Sequence, residues 1–494
     1  MRTECIFYAL LNRSIDQNLS VDYLRNNFLF NPTDIIDGLA SAPAYHLIFE
    51  ALLLIWIVKL LFFTKTFNLA KSDLTEKEKH ALIEEWQPEP LIPEVEEENP
   101  FGFKNKFTGI PGPTVCINGK EHINLTSLNF LNMIGNKEVE ASAIDAVRKY
   151  GVGSCGPRGF YGTNSIHLEL EENLAKFMNC EEAILYAYGF STVASAIPAY
   201  AKRGDVLFVD EGVCFPVQKG VEASRSCVKY FKHNDMSDLE RLLKEQAAED
   251  LKNPRKAKVT RRFFIVEGVY LNYGDICPLP KLIELKYKYK VRLFIEESLS
   301  FGVLGDTGRG ITQHFNCNME DVDMVCANLE YAVGSIGGFC CGRSFVIDHQ
   351  RLSGLGYCFS ASLPPLLAAG AITALGIIDS SGDKLENLRS KASSFHQMLE
   401  SISGVCVISD EISPVKHLML SKTNGDINGD RLLLQKIVEY CMQNGVAVTQ
   451  AQYIDQFEYK VPRPSIRLAV NVDLPQEDIK AAVDVLKAAT KALL

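Results

Sequence analysis

Six short apolar runs, at residues 183–187, 206–209, 263–266, 291–295, 324–327 and 338–341, constrain this chain more than anything else in it. Runs of four or five residues without polar alternation suit strands buried on both faces. Helical stretches separate most of them, the first marked by Val139, Ala143, Ile144, Val147 and Tyr150 along one face. Helices alternating with doubly buried strands predict an α/β fold with a mostly parallel sheet. The rhythm begins near residue 112 and changes near 379. Beyond that point longer helices are predicted at 385–402, 431–443 and 475–493, with strands at 405–408, 417–420 and 465–468. This reads as a smaller α+β domain.

The N-terminal side is organised differently. From Tyr45 to Phe63 the chain is apolar except for His46, Glu50 and Lys59. That length approaches the ~17–25 residues that cross a bilayer as a helix, so a transmembrane helix is expected at 45–63. A buried core helix or an interfacial one is the alternative. Lys59, Lys65, Lys71, Lys77 and Lys79 crowd the C-terminal side, whereas Asp34 and Asp37 precede the span. The positive-inside rule then puts residues 1–44 in the lumen and the large body in the cytosol. A short helix near 74–86 and a spacer with Pro88, Pro90, Pro93 and an acidic run, 94–98, make 64–111 a juxtamembrane linker.

A net charge of −10 argues against nucleic acid as a partner, because phosphate binding wants a basic face. The 14 cysteines form no CxxC pair and no zinc-like spacing, and a chain this long needs no disulfide framework. Gly151 to Gly156 formally satisfies GxGxxG, but that fingerprint needs a preceding strand, and the segment ending at Tyr150 has helical periodicity. A dinucleotide site is therefore rejected. The loop instead reads as glycines that let backbone approach another surface closely. Tyr188-Gly189-Phe190-Ser191-Thr192, between a strand and a helix, could offer helix N-terminal amides to a phosphate, or be a plain turn.

Tyr150-Gly151-Val152-Gly153-Ser154-Cys155-Gly156-Pro157-Arg158-Gly159, with Tyr161-Gly162-Thr163 and His167-Leu168-Glu169-Leu170-Glu171, resembles the YGxGxxGxR…G…H…LE block of the α-oxoamine synthases. Phe359 to Pro365 and Arg463 to Arg467 also resemble segments of that family, and the likeness spans roughly residues 110–494. It implies a pyridoxal-phosphate fold of type I, aspartate-aminotransferase-like, with a large domain at 112–378 and a small C-terminal domain at 379–494. Members condense an amino acid with an acyl-CoA. The glycine-rich loop lies in them near the subunit interface, so Cys155, Gly156 and Arg158 are expected to contribute to a partner's active site.

Pyridoxal 5'-phosphate needs a lysine for the Schiff base, a carboxylate on the pyridinium nitrogen and an imidazole on the ring. In the matched motifs the stacking histidine falls on Cys214 and the pyridine carboxylate on Glu296. A second histidine falls on Leu299. The lysine, six residues before the first glycine of Gly337-Gly338, falls on Tyr331, and no lysine occurs between Lys290 and Lys384. Arg467 matches the position that holds the amino-acid carboxylate, with a structural ion pair as the competing role. His233 reads as a polar strand-end residue, and no metal-ligand spacing is present.

Within the family, residues 328–342 and Glu296-Glu297-Ser298-Leu299-Ser300 resemble the non-catalytic long-chain-base subunits. That resemblance implies no catalytic residue of its own and a heterodimer with a catalytic long-chain-base subunit that holds the pyridoxal phosphate. It further implies the endoplasmic reticulum membrane, with small regulatory membrane subunits as further partners. The chemistry served would be condensation of L-serine with palmitoyl-CoA to 3-oxosphinganine. The competing readings are an active homodimeric synthase drawing a lysine from elsewhere, and a membrane-tethered scaffold or sensor that has kept only the fold.

Overall fold

The computed structural model describes residues 43–62, 75–88, 91, 105–423 and 425–494. The expected lumenal segment up to residue 42, Lys65, Lys71 and the acidic run 94–98 lie outside the described residues. The N-terminal unit contains two helices, Ala44–Phe62 and Glu76–Glu85. The second is started by a capping box, in which Thr75 N–H donates to Glu78 Oε2 at 2.8 Å and Glu78 N–H donates to Thr75 Oγ1 at 3.3 Å. The first has 19 residues and leaves Ile48, Phe49, Leu52, Leu54, Ile55 and Trp56 exposed. It carries Glu50 and Lys59 within that length. Among the described residues no single helix is long and apolar enough to cross a membrane.

The second unit begins with three short strands, β1 (Phe107–Thr108), β2 (Thr114–Ile117) and β3 (Lys120–Asn124). Seven strands follow: β4 (Glu182–Tyr186), β5 (Val206–Asp210), β6 (Cys227–Phe231), β7 (Arg262–Glu267), β8 (Arg292–Glu296), β9 (Met324–Asn328) and β10 (Gly338–Gly342). They form one sheet in the order β4-β10-β9-β8-β7-β5-β6. Every residue of β5, β9 and β10 is buried, which is why these segments read as unbroken apolar runs.

The expectation of a mostly parallel sheet needs correction. The pairings from β6 through β5, β7 and β8 to β9 are parallel, but β10 runs antiparallel to both β9 and β4. Only residues 329–337 separate β9 from β10, too few for the crossover of a dozen or more residues that a parallel return requires. The remaining strands, β11 (Val405–Val407), β12 (Val415–Leu420), β13 (Val446–Ala447), β14 (Thr449–Gln450) and β15 (Ser465–Ala469), add almost wholly antiparallel structure. A second sheet has the order β11-β12-β15-β14, and β13 joins β1–β3 in a third. The protein is therefore a mixed-sheet α/β structure. Helix Pro365–Asp379 packs across Lys137–Tyr150 and Ser165–Phe177.

β13 lies parallel to β3, pairing Val446 with Ile123. Ala469 N–H also donates to Leu125 O at 2.8 Å, and Val472 N–H to Phe130 O at 2.8 Å. Residues 114–130 are thus tied to the C-terminal part of the chain, a pairing with no local signature.

Candidate functional site

The carboxyl ends of parallel strands are where open α/β sheets bind ligands, and here they are acidic. Asp210 ends β5, Glu267 ends β7 and Glu296 ends β8, with Glu267 and Glu296 in direct register. Both glutamates are buried. Glu267 accepts from the backbone N–H groups of Cys214 and Leu271, the latter at 2.9 Å. Glu296 accepts from Ser298, whose Oγ in turn accepts from Asn328 N–H at 2.8 Å. Burial pushes the Glu296 carboxyl up to about 8, reinforced by Glu267, and burial also pushes Glu267 up to about 7 against its N–H donors. Beside them, Glu297 accepts from Ser300 Oγ at 2.6 Å and Ile311 N–H at 2.9 Å, and burial lifts it to about 7.

Tyr331 stands over this end of the sheet in the loop between β9 and β10. Burial raises its phenol, and the nearby charges of Glu296 and Cys214 raise it further, while Arg467 acts the other way. Three of the sequence-expected positions, Cys214, Glu296 and Arg467, therefore lie near the fourth, Tyr331. Leu299 is buried in the turn after Glu296. Cys214 is buried at the N-cap of helix Phe215–Ser224, where burial and the two glutamates hold its thiol well above the usual range. It is no thiolate nucleophile. Arg467 lies on β15 opposite His417 of β12, and its Nε is buried with no hydrogen-bond partner among the described residues. Among the described residues it makes no ion pair, the competing role that its sequence position left open. His417 bridges Ser465 Oγ and Leu271 O, at 2.9 Å each, and burial drives its pKa down to about 3. It is a neutral structural imidazole.

The glycine-rich loop is largely exposed but pinned from within by Ser154, Arg158 and Gly162, which are buried. Gly151 caps helix Lys137–Tyr150 at φ +82°. A Cβ on Gly162 would lie 1.8 Å from Gly156 O, so two backbones touch there and only glycine fits. Ser362 N–H donates to Gly156 O at 2.9 Å, Ser154 Oγ–H donates to Ser362 O at 2.8 Å, and His167 Nε2 meets Leu363 O at 2.6 Å. Cys155 is exposed and has φ +65°. Arg158 points inward, buried, onto Glu171.

A model of aminotransferase class I and II matches residues 120–486. Serine palmitoyltransferase 1 of Dictyostelium discoideum is 42% identical over 95% of this chain and 98% of its own length. Long chain base biosynthesis protein 1 of Arabidopsis thaliana is 40% identical over 91% of this chain and 92% of its own. The chain belongs to the serine palmitoyltransferase 1 family. Among solved structures, a serine palmitoyltransferase with a PLP internal aldimine superposes with a TM-score of 0.70 at 24% identity, covering 79% of this chain and 93% of that one. The enzyme from Sphingomonas wittichii gives 0.70 at 23% identity, over 84% and 96%. These establish the fold.

The residues of this serine palmitoyltransferase 1 family member do not fit a covalently held pyridoxal phosphate. The loop position that would supply an amine is Tyr331. The buried lysine of the neighbouring sheet, Lys416, is no substitute, because strand alternation sends it to the face opposite His417. There its Nζ donates to Asp410 O and Glu411 O, both at 2.7 Å. At helix Gly189–Tyr200, the turn that could have cradled a phosphate, the carboxylate of Glu330 instead lies against Gly189.

Sequence reasoning missed three functional-looking groups. Glu267 is aligned with Glu296 only once the strands pair, and Glu330 went unremarked beside Tyr331. His233 does follow the end of β6, as its sequence position suggested, but its partners were not foreseen. It is held between two carboxylates, with Nδ1 at 2.8 Å from Asp210 and Nε2 at 2.9 Å from Asp275, and stacks on Tyr273 at 4.1 Å between centroids. The signal available was Asp210 at a strand end.

Proposed function

We propose that the chain is the non-catalytic subunit of serine palmitoyltransferase, supporting the condensation of L-serine with palmitoyl-CoA to 3-oxosphinganine by a catalytic sister subunit. One observation carries this reading. Tyr331 fills the position of the Schiff-base lysine, over a strand-end cluster where Cys214 and Leu299 replace both imidazoles, inside a glycine frame that is intact. A free scaffold has no use for that frame, whereas a subunit presenting Cys155 and Gly156 to a neighbouring active site does. The active-homodimer alternative requires an amine, and Lys416 is engaged elsewhere.

In this reading the sister subunit holds the pyridoxal phosphate in a heterodimer. The apolar segment expected at 45–63, most of which lies in helix Ala44–Phe62, would anchor the pair to the endoplasmic reticulum membrane in a single pass, with small regulatory membrane subunits as further partners. The lysines after residue 58 support a cytosolic body. The test is purification of the tagged chain from membranes. A pyridoxal-phosphate-bearing homologue should accompany it, and 3-oxosphinganine should form with the pair and not with either chain alone. Borohydride reduction should place the pyridoxyl group on the partner; a stoichiometric pyridoxyl-lysine in this chain would overturn the reading.

A further inference from the structure

Helix Gly189–Tyr200 has 12 residues and begins at Tyr188, which is extended and makes no side-chain cap. The hydroxyls of its first turn do not serve the free amides either. Ser191 Oγ and Thr192 Oγ1 both donate back to Tyr188 O, at 2.9 Å each. A helix start carries roughly half a positive charge and unsatisfied N–H groups, and so draws an anion.

The anion present belongs to the chain. Glu330 enters from the β9–β10 loop and brings its carboxylate against Gly189. A Cβ on Gly189 would stand 3.0 Å from Glu330 Oε1 and 2.6 Å from Asn328 Cβ, so the glycine is what lets the carboxylate come this close. Asn328 Oδ1 accepts from Glu330 N–H at 3.1 Å and sets the turn that delivers it. Among the described residues no cation forms an ion pair with Glu330, which leaves the helix start as its only counter-charge. The carboxylate is half-buried, and burial raises its pKa while the Gly189 N–H lowers it.

We propose that Glu330 is a built-in plug, a carboxylate that takes the place of a cofactor phosphate at this helix start and closes the chain to phosphorylated pyridoxal. Two consecutive residues then disable both anchors of the group: Tyr331 removes the covalent one and Glu330 the ionic one. This rests on the reading of the chain as a subunit without its own cofactor, and extends it from absence of a lysine to active exclusion.

The full-length chain in detergent, with its Glu330→Ala and Glu330→Gln variants, is titrated with pyridoxal 5'-phosphate, inorganic phosphate and unphosphorylated pyridoxal, following phosphorus NMR line widths and the melting midpoint. Wild type should bind none of them saturably. Glu330→Ala should bind both phosphorylated probes at least about tenfold more tightly than wild type, and unphosphorylated pyridoxal no better. Glu330→Gln keeps the shape and loses the charge, so it should fall between the two, and it carries the test if the alanine variant does not fold. Saturable binding of pyridoxal 5'-phosphate by wild type would overturn the plug, as would folded variants with no gain for phosphate. Neither result touches the subunit reading, which is decided by 3-oxosphinganine formation in the assembled pair.

Discussion

Arg158 and Glu171 meet in a two-point ion pair, Nη1 to Oε1 at 2.8 Å and Nη2 to Oε2 at 2.9 Å, with both side chains nearly shut off from water. Glu171 also accepts from Leu185 N–H of β4, so the pair fastens the glycine-rich loop to the edge of the main sheet. Breaking such a pair from one side leaves Glu171 with only the long contact to Arg351, at 3.9 Å, as counter-charge among the described residues. Arg158→Ala should cost about 3–5 kcal/mol in stability, read as a drop in denaturant midpoint. The double variant Arg158→Met, Glu171→Leu should recover much of the loss; equal losses for both would show that packing, and not charge, is what the site needs.

His233 gives the fold a pH dependence of defined sign. Burial alone would lower its pKa, but Asp210 and Asp275 more than reverse this and raise it to about 10. An unfolded histidine titrates near ~6.5. The folded state therefore holds the proton more tightly, and the stabilisation is complete below ~6.5 and is lost as pH rises through about 10. The gap in melting temperature between wild type and His233→Gln should be largest near ~pH 6 and should shrink steadily toward ~pH 10. A gap that widened with pH would contradict the protonated bridge.

Cys155 sits in the left-handed region, at φ +65°, on an exposed part of the loop. Cys155→Gly should leave stability unchanged or raise it by about 0.5–1 kcal/mol, since glycine pays no steric cost there. Cys155→Trp should spare the fold of this chain and impair or redirect catalysis in the assembled pair, because active sites respond to displacements of about an ångström. Unchanged kinetics for serine and for palmitoyl-CoA would remove Cys155 from the shared site.

Tyr331→Lys alone should not create an enzyme. It returns an amine to the loop, but Glu330 still occupies the helix start, Cys214 offers no flat ring, and Leu299 cannot hydrogen-bond. Residues that act as a unit are grossly non-additive, so repairing one should recover little activity. The variant is expressed without a catalytic partner and assayed for 3-oxosphinganine. Turnover near that of the natural pair would mean the other changes are incidental.

The main sheet was legible because its strands are buried on both faces. The runs at 206–209 and 324–327 became Val206–Asp210 and Met324–Asn328, each longer only by the polar residue that ends it. β12 was read from 417 and begins at Val415, and the intervening charged residue, Lys416, is wholly buried. β1–β3 and β13 escaped notice, being short, and β3 and β13 lie more than 300 residues apart, as His122 Nε2 meets Met442 O at 3.0 Å. In the site, motif positions identified Cys214, Glu296 and Tyr331. They said nothing of Arg158 turning inward or of His233 between two aspartates, because orientation and cross-strand register appear only when the chain closes.

The pairing of β3 with β13 has a consequence for biogenesis. Strand Lys120–Asn124 leaves the ribosome early, yet its parallel neighbour Val446–Ala447 is made more than 300 residues later. At about 5–20 residues per second that is a wait of roughly 15–60 s with one edge unpaired. The body cannot finish folding domain by domain behind the ribosome, and a nascent chain halted before residue 446 should depend on chaperones to keep that edge from pairing with a stranger.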